Sequence, residues 1–236
     1  MINGKRILAF VPGKTGSVGL PNKLFKTIGD YSLLEWTLLA AMHSHYIDKV
    51  VTSSNDPRIK EAVESFSNNR ERCEFLQRPD ELCSPVSKTE EAIKHLLTFY
   101  GDYDYLIMLQ GTSPCRRMQL IDKCIETLVQ GSYDSLITVK KTTPFFWRKD
   151  RITGEAFPSY SLKDRPMRQE LLESDYQFFD NGNIYITKTE SFRQSGLRVS
   201  GRTCLYETPE FESMQIDDQE DFDMMSSLFN TFGGFL

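Results

Sequence analysis

The chain has 236 residues, a net charge of −5 and 39% hydrophobic residues, which is enough for one sizeable core in a single unit spanning residues 1–236. No apolar run approaches the roughly 20 residues that cross a bilayer, and no lysine–arginine tract or aromatic–basic pattern marks a nucleic-acid surface, so neither a membrane nor a nucleic acid is an expected partner. The cysteines (Cys73, Cys83, Cys115, Cys124 and Cys204) are scattered without CxxC spacing, which argues against a disulfide framework or a zinc site; with no signal-peptide core after Met1, the cytoplasm is expected.

In chain order, the apolar run Ile7–Phe10 predicts a first strand. It launches a loop punctuated by Gly13, Gly16 and Gly19 that carries Lys14 and Lys23. Glycines let backbone amides approach a ligand and the lysines add positive charge, a combination suited to phosphate oxygens. The loop is not a P-loop, because Leu8 stands where that motif needs its first glycine; spacing by threes also fails the GxGxxG fingerprint. Ser32–Glu35 reads as a capping box opening a helix to about Ser44. Asp48–Ser53 is the next strand, and Asn55–Asp56–Pro57 opens a helix over Arg58–Phe66. Glu74–Gln77 predicts a third strand, and Ser87–Glu90 a second capping box before a helix with Ala92, Ile93, Leu96 and Leu97 on its apolar face. Asp104–Gln110 is nearly all apolar, as a central strand buried on both faces requires. A polar loop over 111–116, a helix stopped by Gly131 and a strand over Ser135–Val139 follow.

This alternation predicts an α/β fold, a doubly wound and mostly parallel sheet whose ligands lie beyond the carboxyl ends of the strands. The rhythm breaks over residues 140–180, which are rich in proline and aromatics; the segment could fold back as a flap, cover a sheet edge, or bury its aromatics against a second subunit. Gly182–Thr187 and Cys204–Glu207 restore strands, and a helix closes the chain over Asp218–Phe229. Loops after successive strands carry Lys14, Ser17 and Lys23, then Ser54 and Asn55, Arg78, and Gln110, Thr112, Ser113 and Arg116. Such a cationic, hydroxyl-rich rim suits a nucleoside triphosphate. Asp217, Asp218 and Glu220 are candidate Mg2+ ligands, while Asp217 or Asp218 could equally be a helix N-cap. His43, His45 and His95 lack partners at ligand spacing and read as structural.

Six stretches in this order carry a resemblance: Val11–Lys23, Gln77–Leu82, Leu109–Pro114, Arg168–Leu171, Asn181–Tyr185 and Ile216–Asp217. Together they resemble the acylneuraminate cytidylyltransferases, the family that includes CMP-sialic acid and CMP-legionaminic acid synthetases, over nearly the whole length. The resemblance implies a Rossmann-like nucleotidyltransferase fold with residues 140–180 as an inserted dimerisation segment, a homodimer, CTP and an acidic 2-keto-3-deoxy sugar as substrates, and Mg2+ as cofactor. It implies a nucleotide site of Pro12, Gly13, Lys14, Gly16, Ser17, Lys23, Arg78 and Ser87. The acceptor would meet Gln110, Thr112, Ser113, Arg168, Gln169, Asn181 and Tyr185. Lys23, Lys14 and Asp217 would serve catalysis, and Asp217, with Gln215 or Asp218 in support, would bind the metal.

The chain also departs from the family pattern. Lys14 replaces the usual arginine, Val18 the usual lysine, Leu24 an asparagine, Gly111 a proline and Gln215 an aspartate. Lysine lacks arginine's bidentate fork, and glutamine is a neutral oxygen donor. These departures leave two other readings open: a catalytically weakened homologue that binds nucleotide or sugar, and a nucleotidyltransferase with another base or acceptor.

Overall fold

The computed structural model describes residues 1–14, 19–67, 71–84 and 86–232. Its elements in order are β1 (Ile7–Pro12), a hairpin of β2 (Thr27–Ile28) and β3 (Tyr31–Ser32), α1 (Leu33–His43), β4 (Lys49–Ser54), α2 (Pro57–Ser67), β5 (Cys73–Gln77), α3 (Thr89–Phe99), β6 (Tyr105–Leu109), α4 (Met118–Gln130) and β7 (Ser135–Thr142). A small hairpin of β8 (Trp147–Lys149) and β9 (Ala156–Pro158) follows, then β10 (Gln177–Lys188), α5 (Thr189–Ser195), β11 (Thr203–Glu207) and α6 (Gln219–Phe232).

Among the described residues the main sheet has seven strands in the order β11-β7-β10-β6-β1-β4-β5. It is mostly parallel, as the alternating pattern predicts, with one exception. β10 runs antiparallel between β6 and β7, and its register slips between Asp180 and Tyr185. β1 explains why both faces are covered. Ile7, Ala9 and Val11 point into a core shared with α1, α2, α4 and α6, while Leu8 and Phe10 point into a second core with α3 and α5. Strand side chains alternate faces, so a strand apolar at every position must be covered on both.

Local signals are realised with small shifts. Ser32 Oγ accepts the Glu35 amide at 3.3 Å and Glu35 Oε2 accepts the Ser32 amide at 2.8 Å, the reciprocal box expected at the start of α1. The second expected box does not form: the N-cap is Lys88, whose side chain accepts nothing, and only its amide is capped, donating 3.0 Å to Glu91 Oε2, while Ser87 bonds the Glu81 carbonyl at 3.0 Å. Gly131 stays in the right-handed region at the end of α4, and the left-handed residue is Ser132 at φ 53°. β7 and β10 extend beyond the sheet body, Gln177–Phe179 pairing with 140–142. The stretch between them carries exposed Trp147, Phe157, Leu162, Met167 and Leu172.

Candidate active site at the carboxyl ends of the central strands

The carboxyl ends of β1 and β6, the segment after β5 and the start of α3 surround a cleft of about 250 Å³, lined by the described residues Pro12, Lys14, Lys23, Leu24, Arg78, Leu82, Ser87, Lys88, Thr89, Ala92, Met108, Gln110, Gly111, Thr112 and Asp217. β1 ends in Pro12, which cannot donate to a ladder, and Gly13 lies against α2, where a β-carbon would come within 3.0 Å of Ile59. The chain therefore leaves the sheet at the rim with Lys14 on the cleft wall.

Lys23 and Asp217 meet across it. Lys23 Nζ donates to Asp217 Oδ1 at 2.9 Å and to the Ile216 carbonyl at 3.2 Å. The lysine side chain is 14% exposed and the aspartate 68%, so the carboxylate stands open to the cleft. Asp217 is placed by its neighbours: Ile216 is fully buried, its amide donates 2.8 Å to the Thr112 carbonyl, and Asp221 Oδ2 accepts the Asp217 amide at 2.8 Å. At the end of the loop before Lys23, a β-carbon on Gly19 would fall 2.5 Å from the Asp217 carbonyl, so this close approach requires glycine.

Arg78 also lines the cleft. Its Nε donates 3.2 Å to Ser53 Oγ and Nη2 bonds the Ser53 carbonyl, both at the end of β4. Burial lowers its pKa and the neighbouring Cys83 opposes that shift. Lys88 and Thr89, where α3 begins, add a cation and a hydroxyl that the motifs did not single out. Their signal was their place in the loop that follows Arg78, on the same sheet edge. The result is four cationic side chains and one carboxylate around an otherwise apolar and hydroxyl-bearing cleft, a balance that favours a polyanion.

Of the expected site residues, the structure gathers Pro12, Lys14, Lys23, Arg78, Ser87, Gln110, Thr112 and Asp217. Gly16 and Ser17 lie outside the described residues, as does Val18. The others lie elsewhere. Ser113 is buried with its hydroxyl unbonded. Arg168 and Gln169 are exposed on the projecting 140–180 segment. Asn181 is fully buried, donating 2.7 Å to Thr208 Oγ1 and accepting 2.8 Å from Thr138 Oγ1. Tyr185 lies one strand over from Met108 and donates its hydroxyl to Asp180 at 2.9 Å; burial raises its pKa. The Gln215 side chain turns to the Asn181 carbonyl, and Asp218 caps α6 by accepting the Asp221 amide at 2.9 Å. Arg116, expected on the rim, is fully buried beneath it.

Magnesium suits the remaining donor. It commonly takes one or two protein carboxylates plus phosphate oxygens, and Asp217 offers one exposed hard-oxygen ligand beside the phosphate-suited lysines. Among the described residues no group of three or more His, Cys, Asp or Glu is arranged to hold a metal without other ligands. No helix of the described residues is long and apolar enough to cross a membrane.

Comparison with known proteins bears on this geometry. A sequence family described as Cytidylyltransferase matches residues 8–199. The chain is 27% identical over 222 residues to an N-acylneuraminate cytidylyltransferase of Escherichia coli O18:K1:H7, covering 93% of this chain and 51% of that one. It is 24% identical over 230 residues to N-acylneuraminate cytidylyltransferase B of Danio rerio, covering 96% and 52%. The chain thus spans about half the length of these curated relatives. A solved structure of CMP:2-keto-3-deoxy-manno-octonic acid synthetase complexed with CTP superposes with a TM-score of 0.69 at 15% identity, covering 97% of this chain and 100% of that one, a likeness of fold.

Proposed function

The chain belongs to the cytidylyltransferase family, and from that premise we propose that it transfers CMP from CTP to the anomeric hydroxyl of an acidic 2-keto-3-deoxy sugar, a nonulosonic acid or similar, releasing pyrophosphate. The observation that carries this reading is that Lys14, Lys23, Arg78 and Lys88 line one cleft together with Asp217, Gln110 and Thr112. The triphosphate would lie against the cations and the sugar acid toward Gln110, so that the sugar oxygen faces the α-phosphorus. A P–O bond forms there as the bond to pyrophosphate breaks. Positioning and stabilisation of phosphate charge supply most of the catalysis in such a transfer.

Lys23 is the natural partner for charge at the α-phosphate, because its ammonium is held at the mouth of the cleft by Asp217 and the Ile216 carbonyl. Asp217 would hold Mg2+, whose contribution when bound is to neutralise phosphate charge and orient the leaving group. Arg78, braced on Ser53, would fix the nucleotide. The chain would act as a homodimer through residues 140–180: the segment leaves Trp147, Phe157 and Leu172 exposed, and aromatic and apolar side chains of this kind suit a subunit interface. Arg168 and Gln169 lie on the same segment, so their acceptor role depends on how that segment is seated in the assembly.

The test is pyrophosphate release from purified protein with Mg2+, each of the four nucleoside triphosphates in turn, and a panel of 2-keto sugar acids. Release with CTP and one acid supports the reading. Silence across the panel with CTP still bound would favour the weakened homologue, the alternative motivated by Gln215 turning to the Asn181 carbonyl.

A further inference from the structure

Arg116 is the largest fully buried side chain among the described residues, and no carboxylate pairs with it. Its Nη2 donates to the Gln110 carbonyl at 3.0 Å and the Asn183 carbonyl at 2.9 Å, and its Nε to Asn183 Oδ1 at 2.7 Å. Nη1 has no hydrogen-bond partner. A buried cation held only by neutral oxygens is costly, with an effective penalty of several kcal/mol per ion. Position 116 therefore needs an explanation beyond packing, and its bonds supply one.

Followed outward, the bonds close a ring. Asn183 Nδ2 donates 2.7 Å to the Glu212 carbonyl. Four residues on, the Ile216 amide donates 2.8 Å to the Thr112 carbonyl, which returns to the loop that Arg116 grips at Gln110. A β-carbon on Gly182, at φ +63°, would collide with the Gln215 side chain and come within 3.3 Å of Gln110 Nε2, so the three segments are already in contact at the glycine. The Gln110–Thr112 wall and the 212–217 segment bearing Asp217 thus share one brace, the Arg116–Asn183 pair. Lys14, Arg78 and Lys88 lie outside it, while Lys23 meets it through Asp217 and the Ile216 carbonyl.

We propose that Arg116 is a positioning residue, setting the distance between the acceptor wall at Gln110–Thr112 and the metal-binding carboxylate of Asp217 by holding both through Asn183. This rests on the cytidylyltransferase reading of the cleft. It separates nucleotide capture, carried mainly by Lys14, Arg78 and Lys88 outside the brace, from alignment of the metal with the acceptor, which the brace controls.

The experiment uses Arg116→Met, which keeps much of the stem and removes the donors, and Asn183→Asp, which keeps an acceptor for Arg116 and loses the donor to Glu212. Folding is checked by circular dichroism and melting. Calorimetry with CTP in the absence of metal should give an affinity within about threefold of the parent for both variants, since the cations outside the ring are unchanged. Mn2+ binding to the CTP complex, read by electron paramagnetic resonance, should weaken about 10- to 100-fold, the usual cost of losing a residue that orients a metal ligand. Should Arg116→Met fail to fold, Asn183→Asp alone carries the test. Folded variants with parental Mn2+ affinity would overturn the positioning role, and so would parallel losses of CTP and Mn2+ binding that track the melting temperature. A parent protein that binds no CTP would overturn instead the reading of the cleft.

Discussion

Replacing Lys23 by methionine tests the proposed chemistry with little disturbance to the fold. The side chain is 14% exposed and its ammonium bonds Asp217 Oδ1 at 2.9 Å and the Ile216 carbonyl at 3.2 Å. Methionine keeps an unbranched stem and removes the charge. For stability, the lost pair involves an aspartate that is 68% exposed, so its worth is about 0–1 kcal/mol. In a chain of this size that moves the melting temperature by no more than about 4 °C. For catalysis, losing one preorganised contact to transition-state charge costs roughly 10²- to 10³-fold in turnover, about 2.7–4 kcal/mol. The two effects differ enough to be separated by measuring both. Turnover is followed by pyrophosphate release under saturating CTP, and stability by calorimetric melting of the same preparation. A folded Lys23→Met protein that turns over within about fivefold of the parent would refute the assignment, because no lost transition-state contact is that small. A melting temperature lowered by much more than about 4 °C would instead refute the claim that the pair is energetically minor.

Three further outcomes follow from named contacts. Gly111→Ala places a β-carbon 2.5 Å from Leu24 Cδ2 and should push Leu24 into the cleft, raising the KM for CTP at a stability cost of about 1–3 kcal/mol; in a Leu24→Ala background, where the clash is gone, the same change should cost less than about 0.5 kcal/mol and leave the KM unmoved, and strictly additive effects in the double variant would refute the coupling. Arg58, first through its side chain and then through its backbone amide, holds the Asp56 carboxyl below the usual carboxylate range against an opposing effect of burial. The stability this contributes is present above the unfolded value and lost as pH falls through the folded one, so Asp56→Ala should cost about 0.5–2 kcal/mol at pH 7 and progressively less below about pH 4; a pH-independent difference in melting would exclude the carboxylate as the source. Light scattering at micromolar concentration should report a dimer that Trp147→Glu with Phe157→Glu converts to a monomer, and a monomeric parent would remove the 140–180 segment as an interface.

Elements whose cause is local were legible in the letters. The Ser32–Glu35 box, the Asp56–Pro57 helix start and the uniformly apolar 105–109 stretch each depend on residues within a turn of one another, and each forms where its chemistry predicts. The antiparallel direction of β10 was not legible, because a period of two says which residues share a face and nothing about which way a neighbouring strand runs. α5 escaped for a related reason. Its seven residues, Thr189–Ser195, bury only Thr189 and Phe192, too few to establish a helical period. The expected Ser87–Glu90 box shows the limit at single-residue scale: α3 starts one residue later, Glu91 accepts the Lys88 amide with no reciprocal side-chain bond, and Ser87 is left on the cleft wall.

The same distinction separates the parts of the candidate site. Lys14, Lys23, Arg78 and Gln110 could be grouped from sequence because alternating strands and helices bring the carboxyl ends of adjacent parallel strands together, whereas Asp217, after the far edge strand β11, was singled out through the family resemblance. Arg116, Asn181 and Tyr185 are polar residues in equally suggestive motifs, and their letters resemble those of residues that touch ligands. Their actual partners come mostly from other segments of the chain: Asn181 from Thr138 and Thr208, Arg116 from Asn183, Tyr185 from Arg198, whose guanidinium lies 5.0 Å from its ring, and from nearby Asp180. Burial of a polar group demands such partners, and a motif gives no sign of whether a group meets that demand within the protein or leaves it for a substrate. In this chain, side chains that line the cleft and buried polar side chains therefore lie within a few residues of one another, Gln110 and Thr112 beside buried Ser113 and Arg116. A motif match identifies the region of the reaction, while accessible surface and hydrogen-bond partners decide which of its residues can meet the substrate.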